Sequence, residues 1–94
     1  MAAIGSHNYQ SARYVTYSTT GNIDNLIRSG AGQVIMSNAT LATIRGMIAG
    51  FAGQIVSIVA IGAGNVELAH QNTNSSAANR FINFITASNT VLTP

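Results

Sequence analysis

The sequence predicts an all-β domain: a small sandwich or jelly-roll-like module of short strands, with a β-solenoid or β-prism as the alternative arrangement. Three observations predict it. Apolar residues fall in short runs bounded by Gly, Asn, Ser and Thr, the punctuation of strands separated by turns. The densest run, Ile55 to Ile61, is rich in β-branched residues whose stiff side chains suit a pleated sheet. No segment carries a long helical period with caps at its ends.

Taken in order, Arg13 to Tyr17 reads as a first short strand and Ile23 to Ile27 as a second. Ser29-Gly30-Ala31-Gly32 is a turn feeding a third strand at Gln33 to Met36, and after a break at Asn38-Ala39 the pattern resumes at Leu41 to Ile44. Ile55 to Ile61 is apolar on both faces and closed at each end by glycine, which reads as a strand buried on both sides. Gly62-Ala63-Gly64-Asn65 then turns the chain into Val66 to His70, and a hairpin between these two runs is the expectation. Gln71 to Asn79 is a polar loop, and Phe81 to Ile85 and Thr90 to Leu92 supply the last apolar segments. About eight short strands at close spacing suit a sandwich, barrel or solenoid. The halves of the chain show no matching flanks that would mark an internal repeat.

The chain has 94 residues, room for one small core. Residues 13–94 are expected to form a single β-rich domain preceded by a flexible segment at 1–12. Charged residues make up only 6% of the chain, while about a third of it is Ser, Thr, Asn or Gln. Its surface is therefore polar but nearly uncharged. The charges are Arg13, Asp24, Arg28, Arg45, Glu67 and Arg80, with no lysine. Four scattered arginines do not make the dense basic face that neutralises several phosphates, so nucleic acid is not an expected partner. There is no cysteine, which removes disulfides and thiol chemistry. The first residues lack a positive region followed by a long apolar run, so they do not read as a secretory signal.

Gly46 to Gly64 is uncharged over about 19 residues, near the length of a membrane-crossing helix. Gly46, Gly50 and Gly53 even have a small-residue spacing. Gln54 and Ser57 interrupt the run, however, and no Trp or Tyr anchors either end, so a buried strand is the preferred reading and membrane insertion is not expected. A small membrane protein with one helix at 46–64, such as a lysis factor, remains the alternative.

Catalysis has little to draw on. Asp24 and Glu67 are the only side-chain carboxylates and His7 and His70 the only imidazoles. Glu67 and His70, three apart on a strand, point to opposite faces and suit no chelate. His70 is expected to be half-buried and bonded to its loop. No cofactor or metal is expected, and a carbohydrate-acting enzyme built on Asp24 and Glu67 is a further alternative. The residues that could bind are polar ones around the loop: Asn72, Thr73, Asn74, Asn79 and Arg80. Asn and Ser side chains can bond sugar hydroxyls, although the same side chains commonly satisfy turn backbones. Arg80 beside Asn79 can clamp a carboxylate or pair locally.

The segment Val66-Glu67-Leu68-Ala69-His70-Gln71-Asn72-Thr73-Asn74-Ser75-Ser76-Ala77-Ala78-Asn79-Arg80-Phe81 resembles one found in bacteriophage tail-fibre and virion-associated proteins. There a strand ending in Leu-Ala-His leads through an Asn/Ser loop into Ser-x-Ala-Asn-Arg and another strand. The resemblance extends through Gly53 to Ile58, Asn22 to Leu26 and Leu41 to Gly46. It implies a non-catalytic structural or receptor-binding module of a tail fibre or related appendage. It also implies assembly as a homotrimer beside other virion proteins, a host cell-surface glycan as a candidate receptor, and a place in the virion after synthesis in the bacterial cytoplasm. Similar proteins continue beyond the point matching Leu92-Thr93-Pro94, so the last strands are expected to be absent or supplied by another chain, with the fold completed by oligomerisation.

Overall fold

The computed structural model describes residues 13–50, 53–83 and 86–94, so the segment expected to be flexible at 1–12 lies outside the described residues. Among the described residues seven short strands are formed: β1 (Tyr14–Tyr17), β2 (Gly21–Ile23), β3 (Gln33–Met36), β4 (Ala42–Ile44), β5 (Ser57–Ala60), β6 (Val66–Leu68) and β7 (Thr90–Leu92). The all-β expectation holds. Odd-numbered strands build one sheet in the order β1-β3-β5, and the rest build a second in the order β2-β4-β6-β7. The final strand thus joins the even-numbered sheet, pairing antiparallel with β6, while every other pairing is parallel.

This alternation makes the chain climb as three stacked coils, each giving one strand to each sheet. Two sheets share one core, as in a sandwich, and the threading between them is that of a β-solenoid. Stacking places inward side chains in ladders. Val15, Val34 and Ile58 follow one another across the first sheet, as do Tyr17, Met36 and Ala60. Ile23, Ile44 and Leu68 do so across the second. The central coil is the most deeply covered, with Val34, Met36, Ala42 and Ile44 all fully buried. Each of its large aliphatic side chains contributes about 2 kcal/mol by leaving water.

The corner between the sheets is itself stacked. In the second coil, Asn38 is fully buried there, its side-chain amide donating to the carbonyls of Thr40 (2.7 Å) and of Asn65 in the third coil (3.0 Å). Gly64 donates its N–H to the Asn38 carbonyl at 3.0 Å, and Gly62 donates to that of Met36 at 3.2 Å. The absence of side chains lets the third-coil backbone rest on the second: a Cβ at Gly64 would stand 2.2 Å from the Thr40 carbonyl oxygen, and one at Gly62 2.3 Å from that of Asn38.

Three local expectations are corrected. The runs on either side of Gly62 to Asn65 do not form a hairpin: β5 pairs with β3 and β6 with β4, because the glycine turn is seated on the coil beneath it. Nor is the run at 55–61 buried on both sides. Ile55 is 84% and Ile61 61% exposed on either side of β5, and within the run it is Val56, Ile58 and Ala60 that pack against the core. Phe81 makes a single parallel bridge to His70 in place of opening a strand, and part of the run expected to follow it lies outside the described residues. Residues 46–64 contain β5 and no helix among the described residues, and no described helix is long and apolar enough to cross a membrane.

Candidate functional site

The returning connections between coils form a third side of the solenoid, and the candidate site lies there. Leu26 bridges Met47 in parallel, with Leu26 donating to the Gly46 carbonyl at 2.9 Å and Ile48 donating back to Leu26 at 2.9 Å. Both inward side chains join the core, which leaves Ile27 and Ile48 exposed. The 71–80 segment folds over this corner. Asn25, in the left-handed region at φ 48°, accepts through Oδ1 from the Ser76 N–H (3.0 Å) and the Asn79 amide (2.8 Å). Its own N–H donates to the buried Ser75 hydroxyl at 3.1 Å. Ser75 in turn abuts Gly46, where a Cβ would meet its Oγ at 2.2 Å.

Between these layers is a recess of about 250 Å³ bordered by Arg28, Gly50, Gln54, Asn79, Arg80 and Phe81. Arg28 is only 5% exposed. Its Nη1 donates to the Ala31 carbonyl and its Nη2 to the Gln54 side-chain oxygen, both at 2.8 Å, while the buried Nε has no acceptor among the described residues. Gly50 lies flat against this pair, since a Cβ there would approach Arg28 Nη2 to 2.5 Å. A second recess of about 260 Å³, bordered by Ile27, Ser29 and Gly30, also reaches Arg28. Arg80 is half-buried and donates through Nε to the Ser75 carbonyl at 3.0 Å.

The structure divides the expected binding residues. Asn79 and Arg80 border the recess, whereas Asn72, Thr73 and Asn74 are not among the residues that line it. The Asn72 side chain accepts from the backbone N–H and the amide of Asn74, both at 2.9 Å, closing a local turn, and Thr73 and Asn74 are exposed. Asn79 is also committed, accepting from the Ala49 N–H at 3.1 Å while its amide bonds Asn25. Sequence reasoning missed Arg28, Gln54 and Gly50. One signal for Arg28 was present in the composition: two acids cannot neutralise four arginines.

The two acids are placed away from each other's chemistry. Asp24 forms a bidentate pair with Arg45, at 2.6 Å from Nε and 2.9 Å from Nη2. This hydrogen bonding lowers the Asp24 pKa and raises that of Arg45; desolvation opposes both shifts, and the direct attraction between the two charges adds the smallest contribution. Glu67 accepts from the Thr43 hydroxyl and the Asn89 amide, each at 3.3 Å. Glu67 lies on β6 and Asp24 follows β2, strands that flank β4 and so stand about 10 Å apart. His70 Nδ1 accepts from the Asn83 N–H at 2.9 Å, in keeping with a half-buried ring bonded to its loop. Among the described residues no three His, Cys, Asp or Glu side chains gather as metal ligands.

The lowered Asp24 pKa fixes the sign of a pH effect. A depressed folded-state value contributes stability that is present above the unfolded carboxylate value and lost as pH falls through the folded one. The wild type is expected to lose thermal stability on acidification below about pH 4 more steeply than Asp24→Asn, as read from melting temperatures across a pH series. Both partners are solvent-accessible, so the effect is small and shrinks in added salt.

Comparison with known protein families, with characterised proteins and with solved structures returned no match.

Proposed function

We propose that this chain is a non-catalytic structural or receptor-binding module of a phage-like particle, set in a tail fibre or related appendage. The observation that supports this reading most is the stacked, parallel architecture with a recess on one side. Stacked coils make a stiff, extendable body that presents side chains along its faces, a construction suited to a load-bearing fibre and to surface recognition. The fixed ladders ask nothing of charge, which agrees with a surface of uncharged polar groups. The edge of β5 has no partner strand among the described residues and is flanked by the exposed Ile55 and Ile61. Such an edge is a template for another chain, and a homotrimer beside other virion proteins is the assembly proposed.

Light scattering on the purified chain at micromolar concentration tests the assembly, with a trimer mass expected and a stable monomer counting against it. Fluorescently labelled chain applied to a panel of bacterial strains tests the receptor role. Saturable labelling of some strains and not others is expected. A trimer that labels none would restrict the module to a structural role.

A further inference from the structure

We propose that the recess between Arg28 and Arg80 binds the oxyanion of an acidic saccharide, a carboxylated or sulfated sugar. This rests on the receptor-binding reading and specifies its ligand. Charge placement carries the argument. The chain has four arginines and two side-chain carboxylates. Asp24 is engaged by Arg45, and Glu67 by Thr43 and Asn89. Of the remaining arginines, Arg13 is exposed, and Arg28 and Arg80 converge on one recess that neither carboxylate borders.

That convergence opposes folding on two counts. Burying a guanidinium without a counter-charge is costly, and Arg28 is 5% exposed with only neutral acceptors and an orphaned Nε among the described residues. Bringing a second cation to the same recess adds repulsion. A bound oxyanion relieves both. Guanidinium groups present paired N–H donors that match carboxylate and sulfate oxygens, and Arg80 uses only Nε within the described residues. Gln54, whose side-chain oxygen is held by Arg28, adds an amide NH2 at the rim of the kind that bonds sugar hydroxyls, and Phe81 supplies an apolar wall. A volume of about 250 Å³ admits one charged sugar ring.

The experiment titrates the full chain with sodium glucuronate, glucose 6-sulfate, glucose and inorganic sulfate at constant ionic strength. It follows the arginine side-chain NMR signals and repeats the titration on Arg80→Gln and Arg28→Lys. Glucuronate, glucose 6-sulfate or both are expected to saturate the wild type and shift the Arg28 and Arg80 signals, with the stronger of the two naming the acid group. Glucose is expected to leave the signals in place. Arg80→Gln keeps an amide at this half-buried position while losing the charge and the Nε bond to the Ser75 carbonyl, and is expected to weaken binding about tenfold with only a small fall in melting temperature. The proposal is overturned if no acid saturates the wild type by about 10 mM, or if Arg80→Gln binds as well as the wild type. Inorganic sulfate binding as tightly as the acid sugars would assign the recess to a free oxyanion and overturn the saccharide. Cell labelling separates the two readings. Strains labelled equally by wild type and Arg80→Gln would defeat the recess proposal and leave receptor binding standing. Sugar binding without labelling of any strain would do the reverse. Arg28→Lys is a second reading of the site should it fold, and Arg80→Gln decides the matter if it does not.

Discussion

Gly64→Ala is expected to destabilise the fold by about 3 kcal/mol, measured as a lowered midpoint of urea unfolding with an unchanged slope. A Cβ at this position would lie 2.2, 2.3 and 2.7 Å from the oxygen, carbonyl carbon and Cα of Thr40. All three are backbone atoms of the coil below, so no rotamer change relieves the clash. The third coil would have to lift from the second, straining the Gly64 to Asn38 hydrogen bond and the pairing of β4 with β6 that begins two residues later. Gly21→Ala provides the control. There a Cβ meets nothing within 4 Å, but φ is +78°, so only the left-handed backbone strain of about 1 kcal/mol is expected. A Gly64→Ala cost no greater than that of Gly21→Ala would mean that the coils do not rest on each other at this corner.

Asn38→Asp is expected to cost about 4 kcal/mol at neutral pH, against about 2 kcal/mol for Asn38→Ala. The fully buried amide nitrogen serves two carbonyls, one in its own turn and one in the next coil. Alanine takes from the Thr40 carbonyl its side-chain donor, while the Asn65 carbonyl keeps the Ala42 N–H at 3.1 Å. Aspartate puts an anionic oxygen against them and has no cation nearby to balance it, since Arg28 and Arg80 border the recess on the other side of the coil and Arg45 is held by Asp24. Burial and the facing carbonyls raise the pKa of the introduced carboxyl above its unfolded value of about 3.9, so the folded state binds the extra proton. Stability of this variant therefore rises as pH falls toward 4, the opposite sign to the Asp24 effect, because the neutral acid donates again to one carbonyl. A deficit that stayed constant between neutral and acid pH would show that the side chain is not enclosed as described.

Much of the strand content is visible in the chain itself. Gln33–Met36 and Thr90–Leu92 fall where glycine and polar punctuation place them, and β1, β4 and β6 differ from their expected runs by one or two residues at an end. The coil stacking is hidden because the repeat is irregular. Val15 stacks on Val34 across 19 positions, whereas Val34 stacks on Ile58 across 24. Ladder positions also exchange size, with Gly21, Ala42 and Val66 in one and Tyr17, Met36 and Ala60 in another, so no motif survives from coil to coil. Gly62 and Gly64 carry an ordinary turn signature, and only their proximity to Ser37, Asn38 and Thr40 distinguishes a stacked corner from a hairpin bend. At the recess, Asn79 and Arg80 stood out as polar residues in a polar loop. Arg28 follows Leu26-Ile27 and its burial depends on Gln54, 26 positions later, a distance that no local pattern spans.

The corners also differ in length while the strands keep their register. Three residues join β1 to β2, and five join both β3 to β4 and β5 to β6. Returning connections run to nine residues between β2 and β3 and twelve between β4 and β5. Insertions at the periphery are thus absorbed without sliding any ladder, because pairing is fixed by inward side chains and loop closure grows only slowly more costly with length. Such a body separates what must stay constant from what can vary: new recognition loops can be grafted or exchanged at its outer bends over generations while the hydrophobic ladders beneath them remain untouched.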